Sequence, residues 1–200
     1  MIDHPFRSWL ANKSDLIIAT YKFFRLTPNG VTMLGCILGL GAAALAAHSQ
    51  FIPALTVWWL GRLLDGTDGI YARHLGKSSN FGGYLDIVCD MTAYSAMIWG
   101  FSISLPEQMN WWFAILILYV LCITSALSFG SMQKPEEMDS RDNRSLKLAA
   151  GLAEGGETGI FYTLVLLWPT NAEILCAIWS AILVSTVISR SLIAHREVKG

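Results

Sequence analysis

Asp65-Gly66-Thr67-Asp68-Gly69-Ile70-Tyr71-Ala72-Arg73, followed after eight residues by Gly82-Gly83-Tyr84-Leu85-Asp86-Ile87-Val88-Cys89-Asp90, sets four carboxylates between strongly apolar flanks. Asp65 and Asp68 are spaced i,i+3 and Asp86 and Asp90 i,i+4. If both segments are helical, each pair shares one face with Cβ atoms about 5–6 Å apart. Two such faces opposed make an oxygen-rich cage. A carboxylate at bilayer depth costs roughly 2.5–3.5 kcal/mol, so four without partners cost on the order of 10 kcal/mol. Hard divalent cations offset that cost, since they prefer oxygen ligands, and Mg²⁺ in particular is held by a few carboxylates together with substrate phosphates. Gly69, Gly82 and Ala72 leave room beside the acids for a ligand or a second helix.

The spacing D-x-x-D-G-x-x-A-R-x8-G-x-x-x-D-x-x-x-D resembles the signature of the CDP-alcohol phosphatidyltransferases, and it is matched at Asp65, Asp68, Gly69, Ala72, Arg73, Gly82, Asp86 and Asp90. The resemblance implies an integral membrane enzyme with six transmembrane helices, working as a homodimer. Such an enzyme moves a phosphatidyl or similar group from a CDP-linked lipid donor to a polar alcohol acceptor and releases CMP. It further implies that Asp65, Asp68 and Asp86 bind a divalent metal, Mg²⁺ or Mn²⁺ as two ions. Asp90 is then the general base and a further metal ligand. Gly69, Ala72, Arg73 and Gly82 belong to the donor nucleotide pocket in the same pattern. Pro28-Asn29-x-x-Thr32 is similar to a family element beside that pocket, although Asn29 can also simply cap the helix that Pro28 begins. The competing reading of intramembrane acids is an ion or proton pathway.

The 200 residues are 54% hydrophobic and 14% charged, with eight Trp, nine Phe and six Tyr. That is the composition of an all-α polytopic membrane protein. A spanning helix needs about 20 apolar residues, and six runs qualify, at 31–48, 52–74, 82–104, 111–132, 150–169 and 173–194. The expected division is a peripheral segment over 1–28 and a six-helix catalytic domain over 29–200. Within the first, Phe6, Trp9, Leu10, Leu16, Ile17, Tyr21 and Phe24 recur at near-helical spacing among Arg7, Lys13, Lys22 and Arg25. This reads as an amphipathic interfacial helix on the cytoplasmic leaflet. Periodicity does not separate lipid from protein as its apolar partner.

Loops 49–51, 105–110 and 170–172 lack Lys and Arg, while Lys13, Lys22, Arg25, Arg73, Lys77, Lys134, Arg141, Arg144, Lys147, Arg196 and Lys199 fall on the other side. Both termini and the acidic motif are therefore expected to face the cytoplasm. No leader pattern precedes the first run, which is expected to be retained. A net charge of −1 without a basic domain gives no reason to expect nucleic acid. Cys36, Cys89, Cys122 and Cys176 are dispersed without metal-ligand spacing and read as small core residues.

Three further groups bear on substrate choice. Arg62, one turn before Asp65, pairs with an aspartate or reaches a donor phosphate. Arg73 is the better phosphate ligand, because a guanidinium forks onto phosphate oxygens. Arg144 and Lys147 precede Glu154 and Glu157, in a region where the family resemblance places acceptor recognition. The basic pair suits a phosphate-bearing acceptor and the glutamates an amino alcohol, or the acids merely favour the positive end of a helix. The expected reaction is transfer from CDP-diacylglycerol to glycerol 3-phosphate, serine or an inositol compound. Variants of the same chemistry use phosphatidylglycerol as acceptor, or a CDP-alcohol donor with diacylglycerol.

Overall fold

The computed structural model describes residues 14–132 and 155–199, and these residues are helical without strands. Seven α-helices follow in order: α1 Ser14–Phe23, α2 Pro28–Ala47, α3 Phe51–His74, α4 Asn80–Ser104, α5 Met109–Met132, α6 Gly155–Leu167 and α7 Ala172–Lys199. Short 3-10 turns at Pro106–Gln108 and Pro169–Asn171 lead into α5 and α7.

Three of these helices are long and apolar enough to cross a membrane, namely Pro28–Ala47, Pro106–Met132 and Pro169–Arg196. The other expected spans differ for identifiable reasons. With 24 and 25 residues, α3 and α4 are long enough. However, Arg62, Asp65, Asp68 and Arg73 in the one and Asp86 and Asp90 in the other lower their apolarity. The fifth run, expected over 150–169, begins outside the described residues, and its described part, α6, has 13 residues.

Helix ends follow local chemistry. Thr27, not Asn29, caps α2: its Oγ1 accepts the Gly30 N–H at 3.1 Å. Pro28 then stands at the first helical position, where its missing N–H is no loss and its fixed φ suits the helix. Asn29 as cap is therefore corrected. Ser79 caps α4 in the same way, accepting from Gly82 N at 3.0 Å. At the end of α3, Gly76 takes φ +62° while Gly76 N bonds Arg73 O and Lys77 N bonds Ala72 O. This left-handed cap turns the chain back within five residues, so that the start of α4 lies beside the end of α3.

Packing then depends on small residues. Helix α2 lies against both α3 and α4. A Cβ on Gly61 would come within 3.0 Å of the Gly35 carbonyl oxygen, and one on Gly39 within 2.7 Å of Ala93 Cβ. Gly35 and Gly39 thus serve packing within the bundle. Around these crossings Ala42, Ala43 and Ala46 join Trp58, Ala93, Met97, Ile98 and Phe101 in a buried core that continues through Trp112, Tyr119, Tyr162 and Trp179.

The protein supplies the apolar partner for one face of α1. Ile18 and Tyr21 are buried with Val31 and Tyr71. Phe23 and Phe24 remain exposed. Tyr21 donates its hydroxyl to Thr67 Oγ1 at 2.6 Å, since the Thr67 proton is engaged by the Leu63 and Leu64 carbonyls. Burial pushes the Tyr21 phenol above its ordinary value near 10. The part of the expected amphipathic segment over 1–13 lies outside the described residues.

Candidate metal and substrate site

Helix periodicity and the Gly76 reversal bring the acids together. Asp65 and Asp68 from α3 and Asp86 from α4 each offer a carboxylate oxygen, and these oxygens lie within 4.8 Å of one another. Asp68 is buried, with Asp65 and Asp86 half-buried at its side. Thr32, also buried, donates its hydroxyl to Asp68 Oδ2 and lies close to the Pro28 carbonyl at 3.2 Å. It therefore ties the carboxylate to the first turn of α2. Three hard oxygen donors converging from two helices suit a hard divalent cation such as Mg²⁺ or Mn²⁺.

Asp90 faces the same region but has a different partner. Arg62 Nη1 reaches Asp90 Oδ1 at 2.5 Å, Tyr94 Oη at 3.2 Å and Asp65 Oδ2 at 3.4 Å. The guanidinium lies over the Trp58 ring, 4.9 Å from its centroid, and over Tyr94 at 5.2 Å. Arg62 is 7% exposed. A single buried cation thus joins an acid of α3 to an acid of α4, in a slot with two aromatic walls.

The aromatic walls are themselves held. Tyr162 donates to the Tyr94 carbonyl at 2.9 Å, Tyr119 and Tyr162 share a hydroxyl–hydroxyl bond of 3.0 Å, and Trp179 Nε1 donates to Tyr119 at 3.1 Å. A Cβ on Gly155 would lie 3.0 Å from the Tyr94 hydroxyl, which sets the beginning of α6 against the same slot.

The remaining expected residues separate into those near the acids and those not described. Asn29 Oδ1 would be 3.5 Å from a Cβ on Gly82, and Arg73 Nη1 3.3 Å from one on Gly69. The first turns of α2 and α4 therefore meet at Asn29 and Gly82, while the exposed Arg73 folds back along its own helix over Gly69. Ala72 is half-buried one turn after Asp68. Glu157 is half-buried in the first turn of α6. Arg144, Lys147 and Glu154 lie outside the described residues.

Sequence reasoning weighed Arg62 but missed the residues that fix it. Trp58 precedes Arg62 by four residues and Tyr94 follows Asp90 by four, the same one-turn spacing that selected the acids. Arg190 was missed as well. It is a buried cation in α7 that donates to the Cys122 carbonyl at 2.8 Å and Ser125 Oγ at 3.3 Å, holding α7 to α5. A charged side chain inside an otherwise apolar run was the available signal.

The family model described as CDP-alcohol phosphatidyltransferase matches residues 25–189. The chain is 31% identical to the inner membrane protein YnjF of Escherichia coli, a match covering 82% of this chain and 81% of that protein. It is 33% identical to the archaetidylinositol phosphate synthase of Pyrococcus horikoshii, over 66% of this chain and 64% of that one. Its fold is similar to that of the Mycobacterium tuberculosis phosphatidylinositol phosphate synthase solved with manganese and citrate. That match has a TM-score of 0.72 at 20% identity and covers 90% of this chain and 88% of the other. The same enzyme solved with CDP-DAG bound aligns with a TM-score of 0.67 at 21% identity, over 90% and 92% of the two chains.

Proposed function

Since this chain belongs to the CDP-alcohol phosphatidyltransferase family, we propose that it transfers the phosphatidyl group of CDP-diacylglycerol to a polar alcohol and releases CMP. The observation that carries this reading is the convergence of Asp65, Asp68 and Asp86 oxygens within 4.8 Å. A divalent ion held there supplies charge neutralisation for the diphosphate and for the departing CMP.

The protein's own groups do the rest. Thr32 fixes the rotamer of Asp68. Asn29, Gly69, Ala72, Arg73 and Gly82 bound the donor side, where Arg73 forks onto diphosphate oxygens. Asp90 takes the proton of the acceptor hydroxyl as that oxygen attacks the phosphorus bearing the lipid, and the bond from phosphorus to the CMP oxygen breaks. The free Oδ2 of Asp90, which has no partner among the described residues, is the atom available for that proton.

In this reading α3, α4 and α6 complete six membrane-crossing helices in residues 29–200, with residues 1–28 peripheral and the protein a homodimer. Both termini and the acids face the cytoplasm, in keeping with Lys22, Arg25, Arg73 and Lys77 at one end of the bundle and Lys-free, Arg-free turns at the other.

The test is CMP formation by purified protein supplied with Mg²⁺ or Mn²⁺ and with CDP-diacylglycerol against a panel of glycerol 3-phosphate, serine, inositol, inositol phosphate and phosphatidylglycerol, or with a CDP-alcohol donor and diacylglycerol. CMP with one acceptor and the matching lipid product supports the proposal. Absence of CMP with every donor and acceptor overturns it. Asp90→Asn is expected to lower the single-turnover rate by about a hundredfold with donor affinity nearly unchanged, measured side by side on the same preparation.

For the acceptor, we propose a phosphate-bearing alcohol recognised by Arg144 and Lys147, which precede α6 in the sequence, together with Glu154 and Glu157. Support comes from Gly155, where a Cβ would lie 3.0 Å from the Tyr94 hydroxyl that accepts from Arg62 Nη1, so that the start of α6 lies against the Arg62 slot. Substituting Arg144 and Lys147 by Gln is expected to raise acceptor KM about tenfold or more, as loss of charge-assisted hydrogen bonds does, with donor KM little changed. Steady-state kinetics with each substrate varied in turn measures this, and equal loss for both substrates places acceptor recognition elsewhere.

A further inference from the structure

Three sulfur atoms meet where α2 crosses α4. The helices run in the same direction there: a Cβ on Gly39 would lie 2.7 Å from Ala93 Cβ, and one on Gly100 2.5 Å from the Ala43 carbonyl oxygen. One turn before Gly39 stands Cys36, and one turn before Ala93 stands Cys89. Helix periodicity therefore sets the two thiols opposite each other beside the crossing, and the Cys89 thiol meets that of Cys36. Met33, a further turn back on the same face of α2, brings its Sδ to 4.0 Å from Cys89 Sγ. The cysteines lack metal-ligand spacing within either helix, and only the crossing gathers them. We propose that Met33, Cys36 and Cys89 form a binding site for a soft monovalent cation, Cu⁺, separate from the oxygen cage. This inference is independent of the phosphatidyl-transfer reading.

Ligand chemistry, geometry and burial support it together. Thiolate and thioether sulfur select Cu⁺, whereas carboxylate oxygen suits Mg²⁺ and Mn²⁺, so the two groups of ligands favour different ions. A cation at the centre of three sulfurs, each at a metal–thiolate distance of about 2.3 Å, holds those sulfurs about 4.0 Å apart. Met33 and Cys89 already stand at that separation. Cys36 and Cys89 are 8% and 6% exposed, while Met33 is 45% exposed. Packing thus holds two ligands away from competing water, and the thioether, with its three rotatable bonds, stands at the open edge where an ion would enter.

On binding, the two thiols release their protons to water and each sulfur gives an electron pair to the ion, whose oxidation state does not change. Cys89 directly precedes Asp90, so the test separates the sulfur site from the oxygen cage.

Reduced protein in detergent micelles, titrated anaerobically with Cu⁺ against the chromophoric chelator bicinchoninate and then measured by X-ray absorption at the copper edge, tests this without turnover. The wild type is expected to retain one Cu⁺ per chain, with three sulfur neighbours at about 2.3 Å. Cys36→Ser and Cys89→Ser should each lose that ion. Met33→Leu should leave two sulfur neighbours and weaken binding at least about tenfold, since even outer-shell changes around a metal shift affinity by roughly 10–100-fold. Cys122→Ser and Cys176→Ser should keep the ion, and so should Asp68→Asn, which removes a ligand of the oxygen cage. If a serine variant fails to assemble, Cys36→Ala or Cys89→Ala removes the same sulfur without placing a hydroxyl in the crossing and repeats the measurement. A wild type that retains no Cu⁺ against the chelator overturns the proposal. So does an ion kept by an assembled Cys36 or Cys89 variant, or one lost with Cys122, Cys176 or Asp68.

Discussion

Asp68→Asn is expected to reduce CMP formation by about a thousandfold, in the range seen when one preorganised electrostatic group is removed from a reacting centre. The substitution isolates charge from packing. Asp68 is 8% exposed and accepts the Thr32 hydroxyl, and an asparagine carbonyl oxygen of the same reach still accepts it. Volume is preserved and the helices remain in contact. What disappears is one of three anionic oxygens within 4.8 Å of one another, and with it much of the attraction for a divalent cation. Mn²⁺ half-saturation should rise at least about tenfold, since even outer-shell changes around a metal shift affinity by 10–100-fold. Asp86→Asn should behave alike, because its oxygen closes the same triangle from α4. The measurement is CMP release across a Mn²⁺ titration by protein that elutes as assembled material. Wild-type rates in either variant would remove that residue from the metal site.

Gly100→Ala is expected to be the most damaging single methyl in the bundle. A Cβ there would lie 2.5 Å from the Ala43 carbonyl oxygen and 3.2 Å from its carbonyl carbon. Those are backbone atoms in the middle of α2, so no rotamer change relieves the overlap and the helices must separate. Overpacking of this kind costs about 1–3 kcal/mol. Because α4 carries Asp86 and Asp90 on the helix that moves, activity should fall together with stability. Gly41→Ala on the neighbouring turn is the control. Its Cβ would meet Val57 Cγ1 at 3.8 Å, an ordinary contact. There the better helix propensity of alanine, worth roughly 0.8–1.0 kcal/mol, should prevail. Thermal unfolding of the two variants in detergent micelles gives opposite signs if the crossing is as close as described. Equal midpoints would show that α2 and α4 have slack at Gly100.

How much of this was legible beforehand follows from the range of each interaction. Helix existence was legible. Runs at 31–48, 52–74, 82–104, 111–132 and 173–194 correspond to α2, α3, α4, α5 and α7 within a few residues at the N-terminal ends. Apolar periodicity and length are properties of one segment. Pairing of the acids on common faces was legible for the same reason, as i,i+3 and i,i+4 spacing is fixed by 3.6 residues per turn. Even the cap of α2 was partly visible: Pro28 announced the start, and only its cap was misplaced at Asn29, because Pro at the first helical position puts the cap on the residue before it, Thr27.

What the chain could not reveal segment by segment is which faces meet. Four aspartates stand at equivalent helical spacings, yet Asp65, Asp68 and Asp86 converge while Asp90 turns to Arg62. That partition depends on the axial stagger of α3 against α4, set by the Gly76 reversal and by the depth to which Gly35, Gly39 and Gly100 let α2 settle between them. Likewise, the burial of Ile18 and Tyr21 on Val31 and Tyr71 was beyond periodicity, which marks an apolar face without naming its partner. Composition and spacing by themselves determined an all-helical membrane protein with a paired-carboxylate centre, because those are local consequences of helix geometry and transfer cost. Only the tertiary structure decided which oxygens share a cation and which acid is held by a guanidinium, because distances of a few ångströms between helices depend on how closely their backbones can approach.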